Sequence, residues 1–173
     1  MRIFIITILG IILTAMLIFC GTANENSEYL RIHIRANSNL EIDQSIKYQV
    51  KDAVVDAMIP LLANCETKEI AYQVIENNLE YIENIADNIL ISNNYNYSCN
   101  AKISYEDFPT RTYGGLTLES GFYDALILEL GEAVGDNWWC VVYPPLCFVN
   151  GSTNVSIFKS RILEIIRNFG INI

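Results

Sequence analysis

The sequence predicts an α+β fold, in which a helical pair and a C-terminal helix pack on a mainly antiparallel sheet of about four strands. Four short stretches have the apolar patterns of β-strands, and three longer stretches repeat apolar residues at helical spacing. A hydrophobic segment precedes them all and predicts export. The chain therefore divides into residues 1–23 and a single α+β domain over residues 24–173.

The N-terminal segment decides which side of a membrane the domain occupies. After Arg2, residues 3–21 contain no charge, a length between the core of a signal peptide and a short transmembrane helix. Ala23 and the residue two positions before it are small, as a signal peptidase requires. We expect export and cleavage after Ala23; the alternative is an uncleaved membrane anchor. In the first case residues 1–23 associate with the membrane only transiently.

The charge of the exported part limits its partners. Residues 24–173 carry ten lysines and arginines against twenty acidic residues, a formal net charge of −10. Such a surface repels phosphate backbones, so we expect no nucleic-acid partner. No repeat or linker divides these 150 residues, a length that suits one core.

The first strand and helix follow from a change of period. Residues 30–36 alternate between apolar and polar, which predicts a half-buried strand. Its polar face carries Arg31, His33 and Arg35. Residues 37–39 offer N-caps for a helix over residues 42–61, and Pro60 is expected to end or bend that helix.

The central part of the chain predicts one more helix and three strands. A second amphipathic helix follows Thr67 and continues to Ile89. Strands are predicted over residues 97–105, 123–130 and 138–143, with residues 131–137 as a hairpin connection between the last two.

The last of these strands is apolar on both faces, which is typical of a central strand covered on both sides. The helical pair can cover one side. The C-terminal helix, predicted over residues 156–169, is the candidate cover for the other.

Few residues point to chemistry. His33 is the only histidine, and the cysteines and histidine lack zinc-ligand spacing, so we expect no metal and no cofactor. On a strand, a lone histidine is most often solvated or hydrogen-bonded. The exported part holds four cysteines, which allow three full pairings. Cys140 and Cys147 can bond only if the two prolines between them reverse the chain, and Cys99 has apolar neighbours typical of an inert thiol.

Three functional classes stay open from the residues alone. An extracytoplasmic thiol-dependent hydrolase would use Cys140 or Cys147 with His33 as base, but no local signature supplies the third, orienting group. We therefore expect a protein that is not an enzyme and has no small-molecule substrate. A membrane-anchored structural subunit that keeps residues 1–23 is the other alternative.

Two segments stand out from this background. Residues 108–118 read FPTRTYGGLTL, a loop with an arginine and aromatics between strands. Residues 137–149 read NWWCVVYPPLCFV, where two adjacent tryptophans on a strand must project to opposite faces. Together with residues 34–38, 43–44 and 50–54, these segments resemble the stage II sporulation protein R family.

The resemblance implies a role and a partner. Members of this family are made in the forespore and secreted into the space between the two membranes around it. There they trigger a membrane-embedded aspartic protease of the mother cell, which cleaves the pro-form of an early mother-cell sigma factor. For the contact surface we predict Arg111 and Tyr113, with Trp139 beside them, because these residue types dominate interface energetics.

Overall fold

The computed structural model describes residues 28–113, 115–148 and 159–171. The predicted export segment, residues 1–23, lies outside them. The strands are β1 (Leu30–Arg35), β2 (Cys99–Phe108), β3 (Arg111–Tyr113), β4 (Leu116–Leu118), β5 (Gly121–Leu130) and β6 (Asn137–Tyr143). The helices are α1 (Glu41–Leu62), α2 (Lys68–Glu76), α3 (Leu79–Ser92) and α4 (Lys159–Asn168), with a 3-10 turn over Leu146–Phe148.

Four strands form the main sheet, in the order β2-β5-β1-β6. β1 runs parallel to β5 and antiparallel to β6, and β2 and β5 are antiparallel over their whole length. The predicted α+β class and the mainly antiparallel sheet of four strands are thus confirmed. The short strands β3 and β4 pair separately as a hairpin.

The connection between β5 and β6 is not the hairpin that the sequence predicts, because β1 lies between these two strands. The connection crosses the end of β1 instead. Gly135 donates its amide to the carbonyl of Ala36, and Gly131 adopts a φ of +57° beside the side chain of Asn37. A Cβ at Gly135 would meet the carbonyl of Ser38. The two glycines therefore let the connection pass close to the chain that leaves β1.

The central strands also differ from the prediction. β6 is an edge strand, although it is apolar on both faces, and the two central strands are β1 and β5. β1 is not half-buried: Arg31 and His33 are as inaccessible as its apolar residues. The alternation of apolar and polar residues in β1 therefore predicts which residues share a face of the sheet. It does not show whether the polar face is exposed to solvent.

Both ends of α1 differ from the prediction. α1 continues two residues past Pro60, so this proline does not end the helix at its own position. The N-cap is Leu40, not one of residues 37–39, and Ile42 is exposed. Ser38 and Asn37 instead donate hydrogen bonds to the buried carboxylate of Asp43.

The predicted second helix is two helices, α2 and α3, separated at Asn77 and Asn78. α2 begins after Thr67 as predicted, and Thr67 caps it through a hydrogen bond from the amide of Ile70. The Asn78 side chain donates to the carbonyl of Val74 and Asn78 is the N-cap of α3. Asparagine favours such junctions because its side chain competes for backbone hydrogen bonds.

α4 does not cover the second side of the sheet. Its apolar residues Ile162, Ile165 and Ile166 join the same core as α1, α2 and α3. The first residues predicted for this helix, 156–158, lie outside the described chain. Within the described ranges no helix is both long enough and apolar enough to cross a membrane.

Candidate partner-binding surface

The main sheet has two faces with different covers. The helix side packs against the α-helices in one continuous apolar core. The opposite face, called the strand face here, has a smaller core to which no α-helix of the described residues contributes. The buried core of the strand face consists of Phe108, Leu118, Tyr123, Ala125, Ile127 and Val141.

Arg31 lies at the centre of the strand face and is fully buried. Its guanidinium carbon is 4.3 Å from the ring centre of Phe108 and 4.8 Å from that of Tyr123. Nη2 donates to the hydroxyl of Tyr113 at 2.9 Å, whereas Nε and Nη1 have no hydrogen-bond partner. No described carboxylate forms an ion pair with it. Aromatic faces therefore stabilise this buried cation in place of an anion.

The hairpin of β3 and β4 lies beside this arginine. The sequence predicts residues 108–118 to be a loop, and the structure corrects this to a hairpin in which Arg111 pairs with Leu118 and Tyr113 with Leu116. Leu118 is buried and Tyr113 half-buried, so one side of the hairpin is fixed to the sheet. Arg111 is exposed, and its side chain donates a hydrogen bond to the neighbouring carbonyl of Thr110.

His33 is the second buried polar residue of this face. Its ring stacks on Trp139 with 4.7 Å between ring centres and an angle of 8°, and meets Phe108 edge-on. Nε2 lies 3.2 Å from a carboxylate oxygen of Glu106, and Nδ1 has no partner. Burial, and then the charge of Arg35, lower the pKa of His33 to about 3. The imidazole is therefore neutral at physiological pH.

A charged cluster of Arg35, Lys102, Glu106 and Glu129 closes the far end of the strand face. Arg35 donates to both carboxylates, with 2.7 Å between Nη1 and an oxygen of Glu129. Lys102 also reaches Glu129 at 2.9 Å, and this hydrogen bond is the main cause of the lowered pKa of that carboxyl. The side chains are partly exposed, so we expect the cluster to fix geometry more than stability.

The structure brings two of the three predicted contact residues onto this face. Trp139 lies on it directly, and Tyr113 approaches it from the hairpin. Arg111 projects from the same hairpin into solvent. Trp138 packs on the helix side, which confirms that the adjacent tryptophans face opposite ways.

The thiol-hydrolase alternative requires His33 beside Cys140 or Cys147. Residues of β1 and β6 that pair share a face, so Cys140 lies opposite Ile32 on the helix side while His33 lies on the strand face. Cys147 packs against the core of the helix side as well. Cys99 is buried, and burial raises its pKa, as expected for an inert thiol. The described residues contain no histidine, cysteine and carboxylate group able to hold a metal.

Sequence reasoning missed the central role of Arg31 and the two acids that pair with Arg35. The alternation in β1 places Arg31, His33 and Arg35 in a row, and β2 carries Glu106 on its own polar side. Both patterns can be read from the sequence. The pairing of β1 and β2 with β5, which brings these residues together, cannot.

Residues 26–153 match the family described as stage II sporulation protein R. The chain belongs to this family. One relative is the stage II sporulation protein R of Bacillus subtilis (strain 168), which is 34% identical over 128 residues. The alignment covers 74% of this chain and 57% of that relative, so the chain spans little more than half of the relative's length. No solved structure matches.

The residues that match the stage II sporulation protein R family include those that form the strand face. The matched range includes β1, the hairpin and β6, which together supply Arg31, Tyr113 and Trp139. It also includes the exposed Arg111. A surface that presents an arginine and aromatics on a rigid support has the composition of a protein-binding hot spot.

Proposed function

We propose that this chain is a secreted sporulation signal that activates a membrane-embedded aspartic protease by binding it. The protease then cleaves the pro-form of an early mother-cell sigma factor. Family membership carries this proposal. In this role the chain acts from the forespore side, in the space between the two membranes, and performs no catalysis itself.

The geometry of the hairpin supports a binding role. Tyr113 is held by the buried Arg31 and Leu118 is buried in the strand-face core, so the hairpin has a fixed position. Arg111 therefore extends from a rigid support, and a rigid contact residue loses less entropy on binding than a mobile one. We propose that Arg111 contacts the protease, with Tyr113 and Trp139 beside it.

The test is reconstitution of the full chain with membranes that carry the protease and its pro-sigma substrate. Cleavage that requires the chain and continues after its cysteines are changed to serine supports a binding signal without thiol catalysis. Membranes with an inactivated protease are the control, and circular dichroism verifies that each variant is folded. Lack of cleavage with a folded chain would contradict the proposal. The intact mass of the chain isolated from sporulating cells tests cleavage after Ala23.

A further inference from the structure

The segment after β6 turns back on that strand and brings two cysteines together. Cys140 lies in β6 and Cys147 in the 3-10 turn that packs against it. The thiol of Cys147 donates to the carbonyl oxygen of Val141, the neighbour of Cys140, with 2.8 Å between Sγ and O. Both side chains lie in or against the helix-side core. Residues 144 and 145 thus reverse the chain and return Cys147 to the strand that carries Cys140.

The other two described cysteines are placed differently. Cys99 lies on β2, at the opposite edge of the sheet from β6. Cys65 follows α1 and donates to the carbonyl of Leu61 in that helix. Both are buried and both have a raised pKa because of burial. Cys140 and Cys147 are the two described cysteines that the fold places on neighbouring segments, the strand β6 and the 3-10 turn that packs against it.

We propose that Cys140 and Cys147 form an intramolecular disulfide by exchange with a low-molecular-weight disulfide. The thiolate of one cysteine attacks a sulfur of the reagent, releases one of its halves as a thiol and leaves a mixed disulfide. The second cysteine then attacks that bond and releases the other half. Two S–H bonds are lost, one S–S bond forms in the protein, and the reagent takes up the electrons and protons as two thiols.

The surroundings of the two cysteines favour the second exchange, in which the remaining thiol attacks the mixed disulfide. The neighbouring thiol of Cys147 lowers the pKa of Cys140, whereas burial raises the pKa of Cys147. Cys147 is half-buried and Cys140 is buried beside it, so the second thiol is in place once the first has reacted with the reagent. The bond would fix the 3-10 turn on β6. Leu146 of that turn packs against both cores, so the link would join the strand face to the helix side.

This inference is independent of the proposed function and has its own test. The full chain in mild detergent is equilibrated with mixtures of oxidised and reduced glutathione, unfolded in guanidinium, and treated with N-ethylmaleimide. Peptide mass spectrometry then reports the state of each cysteine. We expect Cys140 and Cys147 to be unmodified and linked, lighter by two hydrogen atoms, and to react with N-ethylmaleimide after treatment with dithiothreitol.

Variants separate this pair from other pairings. A Cys65→Ser/Cys99→Ser chain should keep the link, whereas Cys147→Ser should leave Cys140 open to N-ethylmaleimide or glutathione. The unsubstituted chain decides the question even where a variant fails to fold. Alkylation of both cysteines under the most oxidising mixture, glutathione retained on either one, or a link to Cys65 or Cys99 would each overturn the proposal.

Discussion

Both faces of the sheet bury side chains of β1, but these side chains differ in chemistry. On the helix side, β1 contributes Leu30, Ile32 and Ile34 to a core shared with all four helices. On the strand face the same strand contributes Arg31, His33 and Arg35, which pack on aromatic rings and reach carboxylates at the edge. The helix side provides stability through apolar burial, whereas the strand face maintains a defined arrangement of polar groups.

The largest expected difference between the faces is in the free energy of unfolding. Leu128→Ala on the helix side removes a fully buried side chain and should lower it by about 2 to 5 kcal/mol. Arg31→Met, with similar bulk on the strand face, should change it by less than about 1 kcal/mol or raise it, because a desolvated charge is removed. Urea denaturation measures both. Equal losses for the two variants would mean that the buried arginine stabilises the fold as strongly as the apolar core.

The pH dependence of stability should also come from the strand face. The pKa of His33 is lowered to about 3 in the folded protein, so the unfolded chain binds this proton more readily. Stability from His33 is therefore present above about pH 6.5 and lost as the pH falls towards 3. Between pH 7 and 5 the unsubstituted chain should lose about 2 kcal/mol more than His33→Gln. Parallel losses in urea denaturation at the two pH values would show that His33 titrates normally.

A smaller effect is expected where the hairpin meets the sheet. Tyr113→Phe removes the one hydroxyl that accepts from Nη2 of Arg31 and should cost about 1 to 3 kcal/mol, because a buried charged donor loses its partner. In the Arg31→Met background the same change should have almost no effect. This double-mutant cycle, measured by thermal unfolding, isolates the pair. Additive losses would contradict the coupling of hairpin and sheet.

The smallest effect on stability is expected at the exposed end of the hairpin. Arg111→Ala should change the free energy of unfolding by less than about 0.5 kcal/mol but should strongly reduce activation of the protease. Arg167→Ala, another exposed arginine but on α4, is the matched control and should leave activation unchanged. Substrate cleavage in the reconstituted membranes measures both. Full activation by a folded Arg111→Ala chain would remove Arg111 from the contact surface.

Local patterns predicted the elements well because they depend on neighbours in sequence. The spacing of apolar residues located β1, β5 and β6 within two residues, and it placed the start of a helix directly after Thr67. The same patterns failed for the order of the strands. β1 lies between β5 and β6 through contacts with residues far away in sequence. The apolar pattern of β6 therefore predicts a central strand, whereas the structure has it at the edge.

The candidate site was less accessible to sequence reasoning for the same reason. Arg111, Tyr113 and Trp139 were selected by residue type, but their support was not visible. The hydrogen bond between Arg31 and Tyr113 joins residues that are 82 positions apart in the sequence. His33 and Glu106 are 73 positions apart. Such pairs exist only once the strands have aligned, and no local period encodes them.

The insertion of β1 between two later strands also sets an order of assembly. Arg35 pairs with Glu129, 94 positions further along the chain, and β6 on the other side is made later still. While the chain is being synthesised, one edge of β1 stays unpaired until β5 has been made and the other until β6 has been made. Unpaired edges invite association with other chains. Truncation before β6 should therefore yield aggregates instead of a smaller domain.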